Sequence, residues 1–168
     1  METTGIFNHV GTDLENDREL YLIELAHPDE LPGTIDIAGK HFVALIVWDA
    51  TSVPATSIAR LARRLINLGG VYFCTWGGDC ERVHDVIDGE WVDGGDPTKD
   101  ETLMTTWHDD EPLVNAIWFA LFCAWPIDAF FEECRSVVAI CIGCPQFAAE
   151  VKSAFADPKL FKEFRGPF

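Results

Sequence analysis

Positive charge is what this sequence has least of. Its 168 residues include 12 Lys and Arg against 28 Asp and Glu, a formal net charge of −16. Neutralising phosphates with basic side chains supplies most nucleic-acid affinity, so a general nucleic-acid binder is excluded. Docking on anionic lipid is excluded for the same reason. Long hydrophobic runs are missing too. The longest, from Ala116 to Ile127, is broken by Pro126 and falls well short of the ~20 residues a membrane span needs. The first residues, Met-Glu-Thr-Thr-Gly, have neither the basic nor the apolar region of a secretion signal, so a cytoplasmic location is expected. No glycine-rich phosphate loop of either common pattern occurs, and no Gly-x-Ser-x-Gly elbow, which argues against a nucleotide-type cradle and a serine hydrolase.

What is present is a core. Hydrophobic residues make up 48% of the chain, too many for disorder. A chain of this length suggests one domain, 1–168, burying roughly 68–70% of its unfolded surface. The six cysteines, Cys74, Cys80, Cys123, Cys134, Cys141 and Cys144, include several inside apolar runs and are read as reduced, buried thiols.

Residues 42–48, Phe-Val-Ala-Leu-Ile-Val-Trp, are apolar without alternation, as a strand covered on both faces requires. Ile58, Leu61, Ala62 and Leu65 then recur at helical spacing, and Gly69-Gly70 ends that helix. Further strands are expected at 71–75, 102–107 and 136–142. A short helix after Asp79 should carry Val83, Val86 and Ile87 and end near Gly89; others should start at 113 and at Pro145. This alternation predicts a single three-layer α/β domain. Its sheet is mostly parallel, four- to five-stranded and Rossmann-like or flavodoxin-like, with helices on both faces. Residues 1–41 are an N-terminal extension or an edge strand; Tyr21 to Leu25 fits an edge strand or part of a helix.

The charge is concentrated. Residues 79–111 hold 12 acidic and 2 basic side chains, a net of −10. Three expected strands end alike: Trp48-Asp49, Trp76-Gly-Gly-Asp79 and Trp107-His108-Asp109-Asp110-Glu111. Parallel strands would bring these endings to one sheet edge, where open α/β sheets bind ligands. Indoles stack on planar groups or cations, and carboxylates accept hydrogen bonds, ligate metals or move protons. The plainer alternative is that the Trp residues finish the core and the Asp residues cap helices. The acidic stretch 88–101 lacks the calcium-loop pattern and is expected as a solvated loop at the opposite edge, with Trp91 available to anchor a partner.

A metal site is conceivable from Glu81 and His84, three apart on one helix, joined by His108 and Asp109, with Asp49 and Asp79 nearby. Cys141-Ile-Gly-Cys144-Pro145 is a Cys-x-x-Cys at a strand-to-helix junction, where a helix N-terminus lowers a thiol pKa. Read without further support, it is two small buried residues.

The stretches Trp76-Gly-Gly-Asp79-Cys80-Glu81-Arg-Val-His84-Asp85 and Thr105-Thr106-Trp107-His108-Asp109-Asp110-Glu111, followed by Ala116-Ile117-Trp118-Phe119, resemble a family of small uncharacterised bacterial proteins. The resemblance covers about residues 42–145. It implies an α/β domain of unknown function and no activity.

Two functional expectations follow. The first is an acidic binding module, inhibitor- or immunity-like by analogy. Its rim of Trp48, Asp49, Trp76, Asp79, Trp107, His108 and Asp109 would engage a basic protein or a small cationic ligand. The second is a small divalent-metal-dependent hydrolase using the same rim, with Glu81, His84, His108 and Asp109 as ligands; only this reading calls for a metal. The helix over 113–125, apolar nearly all round, also offers a surface for homo-oligomerisation.

Overall fold

A computed structural model describes residues 6–94, 98 and 100–165. From the N-terminus the elements are β1 (Ile6–Asp13), β2 (Arg18–Leu25), a 3-10 turn (Pro28–Glu30), β3 (His41–Trp48), α1 (Ala55–Leu68), β4 (Gly70–Trp76) and α2 (Cys80–Gly94). They continue with β5 (Met104–His108), α3 (Leu113–Phe122), the single-turn α4 (Asp128–Phe131), β6 (Cys134–Ile142), α5 (Pro145–Ala156) and α6 (Pro158–Arg165). The strands form one sheet in the order β1-β2-β6-β3-β4-β5. All neighbours are parallel except β1, which runs antiparallel to β2.

The sheet is therefore α/β and mostly parallel as expected, but it has six strands rather than four to five. The difference lies in residues 6–25. They make a hairpin, and β2 is an inner strand between β1 and β6 instead of an edge. β1, Ile-Phe-Asn-His-Val-Gly-Thr-Asp, is half exposed along most of its length, so its sequence carries no strong apolar period. Counted along the chain, the five parallel strands stand in the order 1-5-2-3-4. This is neither the flavodoxin-like 2-1-3-4-5 nor the Rossmann 3-2-1-4-5-6.

The central strands are buried on both faces: every residue of β3 after His41 is buried, as is β6 from Ser136 to Ile142. That explains their continuous apolar sequences. Helices α1 and α2 pack together on one face, and α3 and α5 on the other. Side chains of β5 alternate accordingly: Trp107 meets His84 of α2, whereas His108 meets Phe119 of α3. Fully enclosed Phe42, Phe73 and Phe155 tie the layers, each contributing about 1.5–3 kcal/mol over exposure.

Two helices differ from expectation. α2 does not end at Gly89 but runs on to Gly94. Its second half is anchored by half-buried Trp91, which packs on the core, and by Glu90 paired with Arg63 of α1 at 3.3 Å. Tertiary contacts thus outweigh the propensity cost of one mid-helix glycine. Much of the expected acidic loop is helix; residues 95–97 and 99 lie outside the described residues. The all-round apolarity of α3 has an internal cause. Leu113, Ala116, Ile117, Trp118, Ala120 and Leu121 are buried within the chain's own core. Among the described residues no helix is long and apolar enough to cross a membrane.

Candidate functional site

β3 and β6 are neighbours, yet β3 leads into α1 on one face and β6 into α5 on the other. Chains departing to opposite faces leave a crevice at the carboxyl ends of the strands, the usual ligand position in open α/β sheets. Here it is a cleft of about 580 Å³, within the ~300–1,000 Å³ of small-molecule sites. Its floor is Val47, Trp48 and Ile142; Ala26 to Asp29 close one side, and Trp76 with Phe147 the other.

The Gly77-Gly78 turn after β4 makes this edge compact. Gly77 has φ +118°, and a β-carbon there would collide with the carbonyl of Trp48. A β-carbon on Gly78 would overlap the carboxylate of Asp49. With both glycines the Ala50 N–H reaches the Gly78 carbonyl at 2.9 Å and stitches the ends of β3 and β4 together.

Two carboxylates line the cleft, Asp29 and Asp49, and Asp79 follows the Gly77-Gly78 turn beside it; Asp29 and Asp79 are each paired with an arginine. Asp29 accepts from Arg60 at 2.8 Å, and Asp79, at φ +61°, from Arg82 at 2.7 Å. Arg82 also donates to the carbonyls of Ala50 and Val53 at 2.6 and 2.9 Å, so the pair braces the loop after β3. Asp49 is different. It accepts from the Thr51 hydroxyl at 2.5 Å and the Thr51 N–H at 3.1 Å. These bonds, hydroxyl first, hold its carboxyl below the usual carboxylate range. No cation among the described residues pairs with it. The cleft therefore presents one fixed, ionised, uncompensated carboxylate.

The aromatic wall is equally fixed. Trp76 and Phe147 meet edge to face with centroids 4.9 Å apart, and the Trp76 indole N–H donates to the Glu111 carbonyl at 2.8 Å. Trp48 is nearly buried and shows the cleft only part of its ring.

The remaining residues of the expected rim share this sheet edge but not the cleft. Trp107, 46% exposed, faces the α2 side on the outermost strand and meets the His84 ring at a tilt, centroids 4.6 Å apart. His108 turns inward. Its Nδ1 is 2.5 Å from the Glu111 carboxylate and its Nε2 3.0 Å from the Thr106 hydroxyl. Burial pushes the imidazole pKa down, against the pull of Glu111. Neutral His108 then donates from Nδ1 and accepts at Nε2. Asp109 is exposed and accepts the Asp110 N–H at 3.0 Å.

The expected metal cluster is not assembled. Among the described residues no three His, Cys, Asp or Glu converge so as to hold an ion. His84 is engaged by Trp107 and by Asp85 at 2.9 Å, His108 is bound inward to Glu111, and Glu81 is exposed on α2. Strand alternation is the reason: His84 and His108 lie on opposite faces of the sheet.

Among the other cleft residues, His27, Asp29, Phe147 and Cys144 carry polar or aromatic groups that the sequence pattern does not place there. They come from the ends of β2 and β6, whose adjacency to β3 no local pattern announces. The Cys-x-x-Cys at the start of α5 was the one visible signal.

An open, mostly parallel sheet with helices on both faces and a cleft at the point where strand order reverses defines the class of doubly wound α/β folds. Within that class, the chain belongs to the family described as Domain of unknown function (DUF7684), which it matches over residues 20–158. No curated protein and no solved structure matches it.

Proposed function

We propose that the protein is a binding module for a small organic cation, received in the switch-point cleft between β3 and β6. The observation that carries this reading is Asp49: an ionised carboxylate beside an aromatic wall, held by Thr51, with its neighbours Asp29 and Asp79 already paired to arginines. A cation there gains a charge-assisted hydrogen bond and contact with the Trp76 face. The net charge of −16 favours its approach. A lysine or arginine side chain offered by a basic protein has the same chemistry. The cleft's volume of about 580 Å³, in the range of small-molecule sites, favours a free ligand.

The test is calorimetric titration at low salt with arginine, agmatine and choline, each set against an uncharged analogue. Saturable binding of at least one cation is expected, weakened about 10- to 100-fold by Asp49→Asn, the worth of a hydrogen bond to a charged group. Equal affinity for charged and uncharged probes, or an Asp49→Asn protein that binds as well as the parent, overturns the reading.

A further inference from the structure

The cleft holds a second chemical feature that cation binding does not use. Cys144 is the last residue before α5, and Cys141 is the penultimate residue of β6. Gly143, at φ +67°, turns the chain between them, and both cysteines face one hollow beside the cleft. Cys144 is half-buried, lines the cleft and donates its thiol hydrogen to the Val47 carbonyl at 3.4 Å. It also lines an adjoining hollow of about 300 Å³ that Cys141 and Glu24 share.

The other thiols contrast with this pair. Cys74, Cys80 and Cys134 are buried, and Cys123 is exposed but does not line the cleft. Cys144 alone is at once within reach of a cleft ligand and backed by a second thiol.

We propose that Cys141 and Cys144 are a reactive dithiol opening on the cleft, which reduces small cationic disulfides. The Cys144 thiolate attacks one sulfur of the disulfide R–S–S–R. This forms a Cys144–S–S–R mixed disulfide and releases RS⁻. Cys141 then gives up its proton and attacks the Cys144 sulfur, closing the Cys141–Cys144 disulfide and releasing the second RSH. The protein loses two electrons and two protons; the substrate gains both.

The division of roles follows from position. Cys144 lines the cleft, whereas Cys141 is 2% exposed and lines only the adjoining hollow. Consistent with this, the Cys141 hydrogen bond draws the Cys144 thiol down from its ordinary pKa, while that same bond and burial push Cys141 up. Substrate charge follows from Asp49 in the cleft and Glu24 in the adjoining hollow, which repel an anionic disulfide.

The experiment uses the full chain with Cys123→Ser, to remove the exposed competing thiol. Intact-mass kinetics are followed with cystamine (cationic), bis(2-hydroxyethyl) disulfide (neutral) and glutathione disulfide (anionic). Cystamine should convert the protein to a form lighter by two hydrogens, roughly tenfold or more faster than glutathione disulfide at low salt, with the gap closing as salt rises. Adding Cys141→Ser should halt the reaction at the mixed disulfide, and adding Cys144→Ser should abolish it. Adduct formation in the Cys144→Ser protein, or no preference among the three disulfides, overturns the proposal. So does a mixed disulfide that persists in the protein retaining both thiols. Unchanged melting temperatures establish that each variant is folded. Cation binding by the Cys144→Ser protein tests the binding reading separately, so either idea can fail alone.

Discussion

Trp76 and His108 are partners across β4 and β5, and both hold the same residue. The Trp76 indole donates to the Glu111 carbonyl at 2.8 Å, and the His108 imidazole to the Glu111 carboxylate at 2.5 Å. The loop after β5 is thus pinned from two strands, and the pin orients one wall of the cleft. Trp76→Phe should cost about 0.5–1.5 kcal/mol and His108→Ala about 1–3 kcal/mol. Because both act through Glu111, a double-mutant cycle by urea denaturation should give a coupling of at least about 0.5 kcal/mol. Strictly additive losses would show that Glu111 does not link them.

Acid should loosen the same pin. Burial places the folded-state pKa of His108 below its ordinary value of 6.5. The unfolded chain therefore binds more protons in the window below 6.5, and stability rises with pH there. The contribution of neutral His108 is complete above pH 6.5 and is lost as pH falls through the lower folded value. Melting curves from pH 8 to 5 should show a decline that is smaller in His108→Gln. An identical decline in both proteins would assign it to other groups.

Gly77→Ala tests how closely β3 and β4 approach. A β-carbon at φ +118° meets the Trp48 carbonyl, so a loss of about 1–3 kcal/mol is expected, with weaker cation binding. A neutral effect on the urea midpoint would rule out the close approach.

Gly89→Ala tests the continuation of α2 in the opposite direction. Gly89 is exposed, in mid-helix, with open space where a β-carbon would go. The alanine should stabilise by about 0.5–1 kcal/mol, or roughly 2–4 °C in Tm per kcal/mol for a chain of this size. Destabilisation would indicate a chain reversal at Gly89.

Arg18 is buried under α3. Its guanidinium donates to the carbonyls of Leu121 and Ala124 and lies 4.0 Å from the centre of the Trp125 ring. A lysine cannot serve both carbonyls from a planar fork while stacking. Arg18→Lys should cost about 1–3 kcal/mol by denaturant titration; an unchanged midpoint would mean the fork geometry is immaterial.

Much of the fold was legible where burial is symmetrical. β3, β4 and β6 sit deep in the sheet, so their residues are apolar on both faces and read as strands. β1 faces outward and reads as nothing in particular, although Asn16 and Asp17, in the turn after it, carry a turn signal: Asn16 bonds Asp13 and Asp17 takes φ +53°. The site was half legible. Trp48, Asp49 and Trp76 belong to the cleft because they end adjacent parallel strands. Trp107 and His108 follow the same local pattern, but on an outer strand whose side chains leave for opposite faces. Cys144 and His27 join only because β6 is inserted between β2 and β3, a long-range pairing with no local trace.

That insertion also governs how the chain must assemble. β6 is made after every other strand, yet it bonds to both β2 and β3. Until residues 134–142 arrive, the hairpin and the β3–β5 ribbon each expose an unpaired inner edge, open to pairing with other chains. Completing the sheet and the cleft therefore requires pairing segments as far apart as Glu19 and Ser136, the kind of long-range closure that slows folding.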